Sequence, residues 1–204
     1  MSPYLRCSVA AGVATWLACG PLYAASTLCP PTPSSGCRAA TSTKLKLTKG
    51  TTSARDKLRW GWRNSAGTTF ADFGDPTVGT SYALCVYDAS AAAQPLLAAE
   101  APADSTCAVE ECWEVYAANT VYLYVDGRHV VGGLSLLKLK SPAGGTNLQA
   151  KGSGALLGLP PLPLTPPVRV QLHNRDTATC WEASYESATR NDGGFFKADA
   201  REQR

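Results

Sequence analysis

The sequence predicts an all-β protein, a disulfide-stapled antiparallel β-sandwich, with an open barrel as the alternative closure. Short runs of alternating apolar and polar residues recur along the chain between turn residues, the pattern of half-buried strands. Among 204 residues there are 18 Gly and 14 Pro, a composition that punctuates turns and spoils helix interiors. The chain also holds 8 Cys, and those that follow an export-like leader form an even set, as expected of disulfides in an oxidising compartment.

The leader comes first. Met1–Arg6 carries one Arg, Cys7–Cys19 is an apolar run (CSVAAGVATWLAC), and Pro21–Ser26 offers small residues for cleavage. The run is too short to span a bilayer, which takes about 20 apolar residues, so residues 1–25 read as a signal peptide. Leu17-Ala18-Cys19-Gly20 ends on a cysteine, which keeps a lipid anchor through Cys19 as the alternative fate of a secreted chain. Residues 26–42 are rich in Pro, Ser and Thr without periodic apolar pattern and read as a linker, leaving 43–204 as the β domain. No later segment is long and apolar enough to cross a membrane.

In Thr43–Lys49, Leu45 and Leu47 alternate with Lys44, Lys46 and Thr48. In Lys57–Arg63, Leu58, Trp60 and Trp62 alternate with Lys57, Arg59 and Arg63. Both are strands with one wet face. Ser81–Asp88 is apolar on both faces and belongs at the centre of a sheet. Further strands are expected at Leu96–Glu100, Trp113–Tyr116, Val121–Val125, Leu134–Lys140, Asn147–Lys151, Val168–His173 and Thr179–Glu186. Five prolines within 155–167 (ALLGLPPLPLTPP) exclude a central strand there. That stretch reads as an extended connection whose leucines cover the sandwich edge.

Sequence proximity pairs Cys29–Cys37 and Cys107–Cys112, leaving Cys85–Cys180 as the long bridge. Strand alternation sets Cys85 with Ala83 and Tyr87, and Cys180 with Glu182 and Ser184. A bridge on that outer face frees Leu84, Val86, Trp181, Ala183 and Tyr185 for the core. Immunoglobulin-type domains instead carry their bridge through the core between sheets, so the sandwich is expected to be of another type. No CxxC pair is present, which argues against zinc.

Lys and Arg number 19 against 16 Asp and Glu and are scattered along the chain. With no basic stripe visible, nucleic acid is not expected as a partner. Asp72-Phe73-Gly74 and the Gly152-Ser153-Gly154 run lack their kinase and dinucleotide contexts and read as turns. The mature chain offers only His129 and His173 as imidazole bases, neither in a recognisable triad context. The neighbouring carboxylates Asp72 with Asp75, and Glu110 with Glu111, do not reveal their spatial separation. Asp72, Asp75, Asp88, Asp126, Asp176 and Asp192 all lie at turns, where calcium could find oxygen ligands and where Asp also stabilises the turn itself. No catalytic or cofactor residues are assigned. Tyr122 and Tyr124 alternate with Val121, Leu123 and Val125 and are the candidates for an exposed stacking surface for sugar rings.

The stretches Lys57-Leu58-x-Trp60-x-Trp62, Ala71-Asp72-Phe73-Gly74-Asp75-Pro76, Tyr82-x-Leu84-Cys85-Val86-Tyr87-Asp88 and Cys180-Trp181-Glu182-Ala183 together resemble an uncharacterised module of exported bacterial proteins. The resemblance covers about residues 43–199 and implies a single exported module; it brings no activity or site residues. The expectation is a non-enzymatic secreted or envelope module with a protein or glycan partner. Carbohydrate binding is the alternative, and a hydrolase a further one.

Overall fold

The computed structural model describes residues 28–64, 67–116, 120–142 and 144–201. The expected signal peptide and Cys19 lie outside the described residues. In chain order the strands are β1 (Arg38–Ala39), β2 (Ser42–Thr48), β3 (Lys57–Asn64), β4 (Tyr82–Tyr87), β5 (Leu97–Ala101), β6 (Thr106–Cys107), β7 (Glu110–Glu111) and β8 (Trp113–Tyr116). They continue with β9 (Val121–Val125), β10 (Leu134–Lys140), β11 (Thr146–Ser153), β12 (Val168–Asn174), β13 (Cys180–Tyr185), β14 (Arg190–Asp192) and β15 (Phe195–Arg201). A small sheet runs β1-β13-β12-β4-β5 and a large one β14-β15-β2-β3-β11-β10-β9-β8, with β6-β7 a separate hairpin. Every pairing between these strands is antiparallel except that of β1 with β13. The sheets form an open sandwich and do not close into a barrel.

Alternation in the sequence decides which face is dry. Leu45, Leu47, Leu58, Trp60 and Trp62 of the large sheet meet Tyr82, Leu84, Val86, Val170, Leu172, Trp181 and Tyr185 of the small one in one continuous core. Polar contacts tie the layers where aromatic side chains end. Trp62 Nε1 donates to Glu182 O at 2.9 Å, and Thr43 Oγ1 lies 2.6 Å from Tyr185 OH. The Pro-rich segment buries Leu157, Leu159 and Leu164 in the core, but it is not extended throughout: Ala155–Leu157 form a 3-10 turn and Leu156 stays exposed. Lys49 Nζ donates to Leu159 O at 2.9 Å while pairing with the buried Asp56 at 2.7 Å.

Two of the expected disulfides are replaced. The structure joins Cys29 to Cys85 and Cys37 to Cys180, with Cα separations of 5.9 and 4.7 Å, whereas Cys107–Cys112 pairs as sequence proximity predicts. Cys85 and Cys180 do lie on the outer face of the small sheet, but β12 stands between their strands. Two strand spacings make about 9.5 Å, beyond the reach of a disulfide, about 7 Å between Cα atoms. Each cysteine is instead met by one end of the segment 29–37, which crosses the face above β12. The stretch expected to be a linker is thus a strap, with Arg38–Ala39 continuing as β1.

The strap is anchored at its middle as well as its ends. Gln171 of β12 is fully buried; its Oε1 accepts Ser34 N–H at 2.9 Å and its Nε2 donates to Ser34 O at 2.8 Å. Tyr87 OH donates to Pro30 O at 3.0 Å. Beyond the strap, Arg38 Nη1 donates to Asp72 Oδ2 at 3.0 Å. Asp72 also accepts from Thr69 N, so the Asp-Phe-Gly turn is a structural clasp. Gly74 is required there, since φ is +67° and a Cβ would clash with Thr80 Oγ1.

Strand β15 was not expected from the sequence. Its inward residues are Phe196, Ala198 and Ala200, and alanine gives alternation little hydrophobic amplitude.

Two outcomes follow. Peptide mapping of the unreduced protein recovers Cys29 linked to Cys85 and Cys37 linked to Cys180; recovery of a Cys29–Cys37 peptide would remove the strap. The Arg38 guanidinium, aided by the Thr69 donors, holds the Asp72 carboxyl well below its usual range. A depressed folded-state pKa contributes stability that is fully present above the unfolded value near 4 and is lost as pH falls through the folded one. Thermal midpoints of Asp72→Asn therefore fall less steeply than wild type as the pH drops from about 4 to about 2.

Candidate functional site

The sandwich has two outer faces and the strap covers one of them. The outer face of the large sheet is open, and alternation places the polar residues of β14, β15, β2, β3, β11 and β10 on it. Strand pairing then aligns charges that lie far apart in sequence. One row across the strands reads Arg190, Lys197, Lys46, Arg59, Lys151. The next reads Asp199, Lys44, Gly61, Gln149, Lys138, and the third Arg201, Ser42, Arg63, Asn147, Lys140. With Lys57 these rows collect more than half of the chain's 19 Lys and Arg. The expectation from sequence that the cations are scattered is corrected: register, invisible in a linear reading, gathers them.

Like charges directly opposite one another destabilise a sheet. Guarding an edge with Lys is a known use of such residues, but β2, β3 and β11 are interior strands. The row is therefore a cost that the fold does not require. The neighbouring acids are few: Asp199 lies 3.6 Å from Lys44, and Asp192 is held by Arg190 at 2.6 Å. An open depression of about 660 Å³ runs over the face, lined by Lys44, Arg59, Gly61, Arg63, Gln149 and Lys138 among others. The aromatic Phe195 at its margin has the Arg190 guanidinium over its ring at 4.1 Å and the Lys46 ammonium at 5.8 Å.

The stacking candidates are elsewhere. Tyr122 and Tyr124 point into the core, Tyr122 stacked on Phe70 at 4.5 Å and Tyr124 packed on Trp113 at 5.2 Å. The expected parity of β9 is reversed: the two large rings fill the gap between the sheets, while Leu123 and Val125 face outward. Burial pushes both phenols up from their usual range. Neither tyrosine can stack on a ligand.

His129 and His173 also find structural places. Ser153 Oγ lies 3.4 Å from Nδ1 and 3.3 Å from Nε2 of His129, so it sits at the ring's edge between the two nitrogens. A nucleophile–base–orienter set needs one nitrogen for the hydroxyl and the other for a carboxylate. Among the described residues no carboxylate is hydrogen-bonded to the ring, and Asp126 accepts Val131 N–H at 2.8 Å instead. His173 Nε2 lies 3.1 Å from Gln171 Oε1 beside the strap; burial lowers its pKa, while Glu182 opposes the shift. The aspartates serve their own turns: Asp75 accepts Thr77 N–H, Asp88 accepts Ser90 N–H and Asp192 accepts Gly194 N–H. Among the described residues, no three His, Cys, Asp or Glu come together at metal-holding distance.

Arg59 stands between Lys46 and Lys151. Arg59→Glu converts two repulsive contacts to attractive ones and raises stability by about 0.5–2 kcal/mol at low salt. Urea melts in about 20 mM and about 1 M salt check this, since screening abolishes the gain. No family model matches the chain, and neither a curated protein nor a solved structure matches it, so the functional reading rests on this face.

Proposed function

We propose that the chain is a non-enzymatic binding module that works outside the cytoplasm, its open basic face taking an acidic polysaccharide. The observation that carries the reading is the row Arg190, Lys197, Lys46, Arg59, Lys151, in which the last four cations stand on interior strands where edge protection does not call for them. Neighbouring strands lie about 4.8 Å apart, so the row extends about 19 Å, the scale of a polymer segment with an anion on each of several units. The three disulfides support work in an oxidising compartment. There the abundant linear polyanions include carboxylated and sulfated glycans.

A single-stranded nucleic acid is the competing polyanion. Its binding relies on aromatic side chains for base stacking. Trp60 and Trp62 of β3 point inward, and Phe195 is already flanked by two cations. Among the described residues, the basic rows from β14 to β10 offer charges and amides, their ring Phe195 lies between two cations, and the exposed Tyr116 stands apart on the far edge strand β8, which favours a sugar polymer.

Titration calorimetry with polygalacturonate, neutral dextran and single-stranded DNA tests the reading. Polygalacturonate binds and dextran does not, with affinity falling steeply between about 50 and about 300 mM salt. The Lys46→Glu/Arg59→Glu double variant loses at least about tenfold in affinity, or about 1.4 kcal/mol. Preference for DNA over the polyuronate would replace this reading, and absence of binding to any polyanion would end it.

A further inference from the structure

Gly61 sits mid-strand in β3, at the centre of the basic face, and nothing in the fold calls for a glycine there. Its φ is not positive, and a Cβ built on it would meet no atom within 4 Å. Gly79, Gly127 and Gly193 share both features but lie in turns, whereas Gly74, Gly132 and Gly133 combine positive φ with a clash; Gly61 is set apart by its place in a strand interior. Glycine in a strand interior weakens the strand and commonly marks a place where a ligand approaches the backbone closely. The wet side of β3 at this point is bare main chain.

The surroundings suit an anionic ring. Arg59 and Arg63 flank Gly61 on the same face of the same strand, each about 7 Å away along it. Lys44 and Gln149 lie opposite Gly61 on the two adjoining strands. Guanidinium groups bind carboxylates bidentately, and the Gln149 amide can both donate to and accept from hydroxyls. Flat bare backbone between two guanidiniums, with an amide and an ammonium to either side, makes a seat for one sugar ring bearing a carboxylate.

We infer that Gly61 is the floor of a uronate subsite: a uronic acid ring of the polysaccharide lies on the Gly61 backbone, its carboxylate held by Arg59 or Arg63 and its hydroxyls by Gln149. The inference rests on the reading of this face as an acidic-polysaccharide site and adds which unit is recognised and where. Charge alone draws the polymer to the face; the gap at Gly61 selects a ring that can lie flush with the sheet.

The test is Gly61→Val, a substitution that fills the seat and leaves every charge in place. A β-branched residue suits an open strand position, so the thermal midpoint rises by about 2–4 °C. Affinity for polygalacturonate falls at least about tenfold. Binding of dextran sulfate, whose charge is not borne on a uronate carboxylate, stays within about threefold of wild type. Equal polygalacturonate affinity in wild type and Gly61→Val overturns the subsite while leaving the face as a polyanion site. A lower midpoint for the variant also overturns it, because the glycine would then serve the fold. If wild type binds dextran sulfate but not polygalacturonate, the uronate assignment fails; if it binds neither, the functional reading fails with it.

Discussion

Nine residues from Cys29 to Cys37 cross the outer face of the small sheet, bonded to Cys85 at one end and Cys180 at the other. Between those bonds the buried Gln171 side chain satisfies both the N–H and the C=O of Ser34. Such an arrangement is hard to loosen by parts. Removing Gln171 would strand two backbone groups against a dry sheet, at a cost of about 1–3 kcal/mol for each group left unpaired. Opening either disulfide would release a loop whose closure contributes about 4–5 kcal/mol through chain entropy. The strap also explains how β4 can be apolar on both faces: Ala83, Cys85 and Tyr87 on its outer side pack with Leu28 and Cys29.

With one outer face closed by the strap, the other is left to solvent, and its composition is freed from the demands of folding. The inner side of the large sheet buries Leu45, Leu47, Leu58, Trp60, Trp62, Leu148 and Phe196. At about 1.5–3 kcal/mol for each large side chain, this comes to on the order of 10–20 kcal/mol. Four successive like-charge contacts along the outer row cost on the order of 1–4 kcal/mol at low salt. Burial wins by a wide margin, so the strands hold their register whatever the outer face carries. That margin allows a functional surface of unfavourable charge to sit on the back of a tryptophan-rich core.

The strands with strong alternation were legible in sequence, because Leu-Lys and Trp-Arg contrasts mark one dry and one wet side. Trp113–Tyr116, Val121–Val125 and Leu134–Lys140 coincide with β8, β9 and β10. Parity failed in β9, where tyrosine, valine and leucine can all be buried and no charged residue marks the wet side, so volume decided. The disulfides misled because proximity in sequence cannot see that β12 separates Cys85 from Cys180. The basic face was hidden for a related reason. Lys46, Arg59, Lys151, Lys197 and Arg190 come from five strands, and only their common register makes them neighbours. Gly61 was visible as a letter, yet its meaning depended on knowing that no backbone or packing constraint requires it.

The shape of the face bears on what kind of function it can serve. Catalysis by charge stabilisation gains its strength from groups fixed in a water-excluded site, and an open sheet face leaves its guanidiniums and ammoniums hydrated. Each anion bound there contributes little, since exposed ion pairs are worth about 0–1 kcal/mol. A small ligand would therefore be held weakly. A polymer is different: once one unit is seated, the next is delivered at high effective concentration, and modest contacts multiply into avidity. A row of cations at strand spacing beside a bare-backbone seat fits that regime. Charge supplies cumulative and reversible hold along the chain, while the one site that reads shape supplies the selectivity that charge lacks.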